Sequence, residues 1–111
     1  ADFGPQVIEK ATEKNMGKLA IKAMAKTLIP EGQLRKYPKC WYEPAEDDLA
    51  RLALRFTLSQ PITAAIPPGE EKFFRIALDV AENFSEITQE EIEYLKEQAK
   101  GLEPIFRLSK V

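Results

Sequence analysis

The alternation of helical and strand-like stretches is the feature that most constrains how this chain can fold. Two short apolar runs, KLAIKAM at 18–24 and ITAAI at 62–66, have the length and composition of strands. Apolar side chains recur at helical spacing in four other segments, which the sequence predicts to be helices: about 4–14, 46–59, 70–84 and 88–100. The predicted order is therefore helix, strand, helix, strand, helix, helix.

This order is typical of α/β proteins. Strands that alternate with helices indicate βαβ units and a parallel sheet. Parallel sheets are normally larger than two strands and are buried on both faces. Two strands alone leave two open edges and do not cover the apolar faces of four helices. The pattern therefore predicts a segment of a larger α/β fold.

Two stretches lack regular periodicity. The segment 25–45 is a long predicted connection, because four residues in it break helices and strands: Pro30, Gly32, Pro38 and Pro44. It also carries Tyr37, Trp41 and Tyr42, which either face a substrate or anchor the loop by packing. The tail 102–111 carries Ile105, Phe106 and Leu108, so it is predicted to dock on another surface, which the sequence does not identify.

Charge and histidine content exclude several classes of function. The 16 basic and 18 acidic side chains give a net charge of −2, which gives no reason to expect a nucleic acid or an anionic membrane surface as a partner. No apolar stretch approaches the ~20 residues that span a bilayer. The chain has no histidine. We therefore expect no zinc or other metal site, and no serine or cysteine nucleophile activated by histidine.

Cys40 is the only cysteine, so no internal disulfide can form. A single unpaired cysteine fits a reducing compartment, and we expect the protein to be cytoplasmic. A lone thiol of this kind is either reactive or, more commonly, a small buried hydrophobic side chain. The second interpretation is the one that the sequence favours.

The residues RLALRFTLSQPITAAIPPG at 51–69 carry a family resemblance. They are similar to the helix, strand and turn that close the barrel in aldo-keto reductases, which are nicotinamide-dependent oxidoreductases with a (β/α)8 fold. The preceding strand of that family resembles KNMGKLAIKAMAK at 14–26. YPKCWYEP at 37–44 and GLEPIF at 101–106 resemble segments of one bacterial branch. The similarity spans nearly the whole chain.

The resemblance implies a partial TIM barrel. Residues 18–24 would be barrel strand seven, and residues 62–66 would be strand eight. Residues 1–111 would form a single C-terminal fragment, with the last two βα units and a C-terminal helix, of a barrel that is typically ~250 residues long. The family's catalytic Asp, Tyr, Lys and His lie near earlier strands. The parent is thus expected to interconvert carbonyl and alcohol substrates with NAD(P)H, and this chain alone is expected to be inactive, with no catalytic residue of its own.

The resemblance also implies a cofactor site for NADP(H) at the ends of the two strands. Lys22 falls where many members place an aromatic residue that stacks on nicotinamide, and a lysine cannot stack in that way. The remaining positions lie after strand seven, in the turn after strand eight, or one turn into the next helix: Ala23, Met24, Pro68, Gly69, Lys72 and Arg75. Free amides at the start of that helix could bind phosphate, and Lys72 and Arg75 could neutralise it.

Two alternatives remain open at this point. In one interpretation, the turn at Gly69 simply begins a well-formed helix, because Glu70 and Glu71 favour the positive end of the helix dipole and repel phosphate. The chain as a whole could also be a non-catalytic interaction module, a truncated reductase that self-associates through its exposed strand edges.

Overall fold

The computed structural model describes residues 3–107 and has an α/β fold. Four helices and four short strands follow one another in the order α1 (Gly4–Glu13), β1 (Leu19–Ala20), β2 (Ala25–Leu28), β3 (Tyr42–Pro44), α2 (Asp47–Leu58), β4 (Ala64–Ala65), α3 (Glu71–Glu82) and α4 (Gln89–Ala99). All four predicted helices are present, with ends within one or two residues of those expected. None of the helices in this part of the chain combines the length and the apolar character that a bilayer crossing requires.

The two predicted strands pair in parallel, as β1 and β4. Leu19 lies opposite Ala64 and Ala20 lies opposite Ala65, and α2 falls between the two strands in the sequence. Both strands are two residues long, so the predicted bounds of 18–24 and 62–66 were too wide. The predicted strand 18–24 cannot continue through Lys22, because the φ of Lys22 is 63°, in the left-handed region.

A second, antiparallel pair lies within the predicted connection 25–45. Leu28 of β2 lies opposite Tyr42 of β3, and Ala25 lies opposite Pro44. The prediction of a wholly irregular segment was therefore wrong. Met24, which was assigned to the first strand, instead precedes β2, and its carbonyl accepts a hydrogen bond of 2.8 Å from the Ala45 amide. The β2–β3 pair thus connects the parallel strands to the start of α2.

The hydrophobic core lies between α2, α3 and the ends of the β2–β3 pair. Its buried residues are Met24, Ala45, Ala50, Leu54, Phe73 and Val80. Ala65 of β4 packs against this core, whereas Leu19 and Ile21 are 67% and 58% exposed. One face of the parallel pair is therefore covered and the other is open.

The C-terminal elements are attached by polar contacts. A capping box begins α4, since the Thr88 hydroxyl accepts from the Glu91 amide and the Glu91 carboxylate accepts from the Thr88 amide. The tail docks on β2 as expected, because the Thr27 hydroxyl bonds both the carbonyl and the amide of Glu103. Residues 108–111, and with them the predicted contact of Leu108, lie outside the described residues.

Candidate functional site

A small pocket lies where the carboxyl ends of β1 and β4 meet. Its volume is about 130 Å³, and its walls come from the end of β1, the segment before β3 and the turn before α3: Ile21, Lys22, Lys39, Tyr42, Ile66, Pro67, Pro68 and Gly69. Parallel pairing explains the convergence, because it brings the carboxyl ends of both strands to the same edge. Three predicted cofactor positions, Lys22, Pro68 and Gly69, thus share one pocket.

The pocket walls carry positive charge. Two of the residues that line it are lysines, and none of them is acidic. The Lys39 ammonium donates a hydrogen bond of 3.3 Å to the Gly69 carbonyl. The Lys22 ammonium lies 5.2 Å from the centre of the Trp41 ring and 4.7 Å from that of Tyr42, within the range of cation–π interactions. Both cations are therefore held at the pocket by the surrounding structure.

Lys22 adopts a conformation that side-chain-bearing residues avoid. Its φ of 63° costs roughly 1–2 kcal/mol relative to an ordinary backbone conformation. Such conformations persist only where the surrounding structure enforces them, and they are common at functional sites. Here the backbone turns at Lys22, because the Ala25 amide bonds the Lys22 carbonyl at 3.0 Å. The turn keeps Lys22 at the carboxyl edge of the strands.

The start of α3 borders the same pocket. Glu70 precedes the helix without a side-chain hydrogen bond to its first turn, and its carbonyl accepts from the amides of Phe73 and Phe74. The two amides before Phe73 have no partner within the helix. The Glu70 carboxylate instead accepts a 2.7 Å hydrogen bond from the Lys39 amide. The Glu70 carboxylate lies at the start of α3, and its negative charge partly offsets the positive potential of the helix start and of the two lysines.

Tyr42 lines the pocket, and the Cys40 side chain lies next to it. Cys40 is 1% exposed, as expected for a small buried hydrophobic side chain. Burial raises the pKa of its thiol, and burial, with the neighbouring thiol, raises the pKa of Tyr42 to about 12. Neither group is therefore ionised near neutral pH, so neither cancels the charge of Lys22.

The other predicted cofactor residues lie elsewhere. Met24 has no exposed surface and belongs to the core, against which Ala23 also packs. Arg75 is paired with Glu71 on the exposed face of α3. Lys39, which lines the pocket, was missed because it lies in the predicted irregular segment, where no periodicity indicates which way a side chain points.

Lys72 belongs to a separate cluster around Glu46. The Glu46 carboxylate accepts hydrogen bonds from Lys36 at 2.7 Å and 2.9 Å, from the Tyr37 hydroxyl and from Lys72 at 3.4 Å. Lys36 first, and Tyr37 next, hold the pKa of Glu46 at about 2. Hydrogen bonds to Tyr37 and Glu46 raise the pKa of Lys72. Lys72 thus joins the 29–41 segment to α2 and α3, and its charge is already compensated.

No protein-family model matches the chain, and neither a curated protein nor a solved structure is significantly similar to it. Among residues 3–107, no three His, Cys, Asp or Glu side chains are grouped so that they could hold a metal ion. The candidate site therefore has to be judged from its own residues, and a pocket lined by two lysines and no acidic side chain has the charge that favours an anionic group.

Proposed function

We propose that this chain is the C-terminal part of an aldo-keto reductase barrel, and that the pocket between Lys22, Lys39 and Gly69 takes a phosphate group of NADP(H). The parent would reduce small carbonyl substrates, or oxidise the corresponding alcohols, in the cytoplasm. The proposal rests on the similarity of residues 51–69 to that family. It is supported by the parallel pairing of β1 and β4 on either side of α2, which is the order of the last two βα units.

The observation that carries the proposal is the position of the two lysines. They line a pocket without acidic walls at the carboxyl edge of two parallel strands. Ligands of α/β folds bind at this edge, and phosphate groups in barrels commonly lie near the last two strands. The amides at the start of α3 add donors beside Gly69. A phosphate in this pocket would therefore meet two cations and the positive end of a helix.

The open face of the parallel pair supports a larger parent fold. Leu19, Ile21 and Ile66 are exposed on or beside these strands, with Ile66 at 47%. In a barrel, this face would point inward and pack against side chains from other strands. Parallel sheets are otherwise covered on both faces. Further strands of the parent would cover these residues and would supply the acid–base groups that the resemblance locates outside this chain.

Removing either lysine is expected to weaken NADPH binding. We expect Lys22→Ala and Lys39→Ala each to raise the NADPH dissociation constant about tenfold, because each deletes one charged contact to phosphate. Calorimetric titration of the folded protein measures this change. Lys96→Ala is the matched control, since Lys96 is exposed on α4 and pairs with Glu93 on the same helix. An absence of binding at millimolar NADPH would show that the pocket holds no cofactor in this chain.

The exposed face also favours a second candidate function, that of an interaction module which self-associates through β1. Leu19 and Ile21 present apolar side chains beside an edge of β1 that pairs with no other strand within residues 3–107. We expect Leu19→Lys to dissociate any oligomer, whereas Leu34→Lys, at a 90% exposed site that is not part of the β1–β4 pair, should not. Sedimentation equilibrium distinguishes the two variants. A wild-type protein that stays monomeric at all concentrations would exclude this function.

A further inference from the structure

A second cavity adjoins the pocket that contains Lys22 and Lys39 (the lysine pocket). Two residues line both cavities. The volume of the second cavity is about 380 Å³, which is within the range of small-molecule sites. Ile21 and Lys22 line both cavities. The outer wall of the larger cavity is the docked tail, with Pro104, Ile105 and Phe106. A ligand that extends past Lys22 from the smaller cavity therefore enters the space beside the tail.

The larger cavity has a different chemical character from the smaller one. Most of the side chains that line it are apolar, and Phe106 presents an aromatic ring that is 44% exposed. Its second lysine, Lys26, is paired with Glu43 at 3.1 Å. Lys22 thus lies at the junction between a cationic pocket and an apolar one. That arrangement suits a ligand with an anionic group at one end and a flat apolar group at the other.

One side chain fixes the tail beside this cavity. The Thr27 hydroxyl donates to the Glu103 carbonyl at 3.0 Å and accepts from the Glu103 amide at 2.9 Å. The Leu28 amide adds a bond of 3.3 Å to the same carbonyl. Phe106 also contacts the ring of Trp41, with 6.2 Å between ring centres. The position of Phe106 therefore depends on β2 and on the segment before β3.

We propose that the two cavities form one binding site for a nucleotide, with a phosphate group in the lysine pocket and a planar heteroaromatic ring against Phe106. This inference rests on the proposed function, because the phosphate end is the one assigned to NADP(H). It adds a residue that selects the ligand: Phe106 contacts the ring, and Thr27 positions the tail that carries it. The tail thereby distinguishes a nucleotide from a simple phosphate.

Two probes and two variants test this assignment. NADPH carries phosphate and ring, whereas inorganic pyrophosphate carries only the anionic part. We expect the wild-type protein to bind NADPH at least tenfold more tightly than pyrophosphate. We expect Phe106→Ala to weaken NADPH about tenfold, the usual effect of losing one stacking contact, while the affinity for pyrophosphate changes less than twofold. Thr27→Val, which keeps the shape but deletes both hydrogen bonds to Glu103, should act in the same direction.

The control variant is Tyr94→Ala, which truncates an aromatic side chain that is 52% exposed on α4 and should alter neither affinity. Trp41, the only tryptophan, lies beside both cavities, so NADPH should quench its fluorescence. Pyrophosphate binding with no additional affinity for NADPH would overturn this inference and leave the phosphate pocket intact. Equal effects of Phe106→Ala on both probes, or no effect on either, would also overturn it. If the wild-type protein bound neither probe, both the inference and the pocket would be excluded.

Discussion

Replacing Phe73 with alanine is expected to remove much of the folding stability of this chain. Phe73 has no exposed surface and is the largest of the fully buried side chains among the described residues. Its ring also contacts Tyr37 edge to face, with 4.9 Å between ring centres. Truncation of a buried phenylalanine costs about 3–5 kcal/mol, because apolar burial is lost and a cavity remains. The free energy of unfolding of a native domain is only about 5–15 kcal/mol in total. Urea denaturation of the variant should therefore show a large loss of stability.

The neighbouring residue provides a matched control. Phe74 lies in the same helix, but its side chain is 49% exposed. Phe74→Ala makes the same chemical change with little core loss, and we expect the free energy of unfolding to fall by about 1 kcal/mol or less. Equal losses for the two variants would contradict the packing described for α3. Because Phe73 lies one turn after Gly69, its loss should also disorder the start of α3 and weaken anion binding.

The helices were predictable because their signals are local. Apolar side chains at a spacing of three and four residues, acidic residues at helix starts and the capping box at Thr88 all act within a few positions. Gly101 ends the last helical segment with a φ of 78°, which a residue with a side chain adopts at a cost. Such signals are read from the sequence alone, and the helix ends follow from them.

The strands were less predictable because pairing decides their bounds. An alternating apolar pattern at 18–24 does not reveal that Lys22 turns the backbone out of the strand conformation. The β2–β3 pair was missed for a related reason. Its strands are joined by residues 29–41, without the two-residue turn that identifies a tight hairpin from sequence. Long-range contacts, not local composition, therefore determine which residues count as strand.

The candidate site, too, could be predicted only in part from the sequence. Lys22 and Gly69 were placed near each other by the family resemblance, and parallel pairing does bring them to one pocket. Lys39 could not be found in advance, since the path of the 29–41 segment positions it. Lys72 was predicted to neutralise a cofactor phosphate, and the structure places it against Glu46, 26 residues away in sequence. Sequence spacing gives the face of a helix and not the partner across from it.

Arg55 joins α2 to α4 and to the segment that precedes α4, and its replacement is expected to lower the free energy of unfolding. Its guanidinium donates to both oxygens of Glu91, at 2.7 Å and 3.0 Å, and to the carbonyls of Ser85 and Glu86. Its side chain is only 21% exposed. Arg55→Met keeps the apolar stem but deletes these bonds, so the carbonyls that precede α4 lose their donor. We expect the free energy of unfolding to fall by about 2 kcal/mol, because hydrogen bonds that involve charged groups contribute more than hydrogen bonds between neutral groups.

The same substitution at Arg75 separates this effect from simple loss of charge. Arg75 pairs with Glu71 at 2.6 Å on the surface of α3, with both side chains about three-quarters exposed. Exposed pairs of this kind contribute roughly 0–1 kcal/mol, since water and salt screen them. Arg75→Met should therefore leave the urea midpoint almost unchanged, whereas Arg55→Met lowers it and also loosens α4. Amide hydrogen exchange in α4 should increase only in the Arg55 variant. If both variants lose the same stability, the attachment of α4 to α2 does not depend on Arg55, and packing alone holds the C-terminal helix in place.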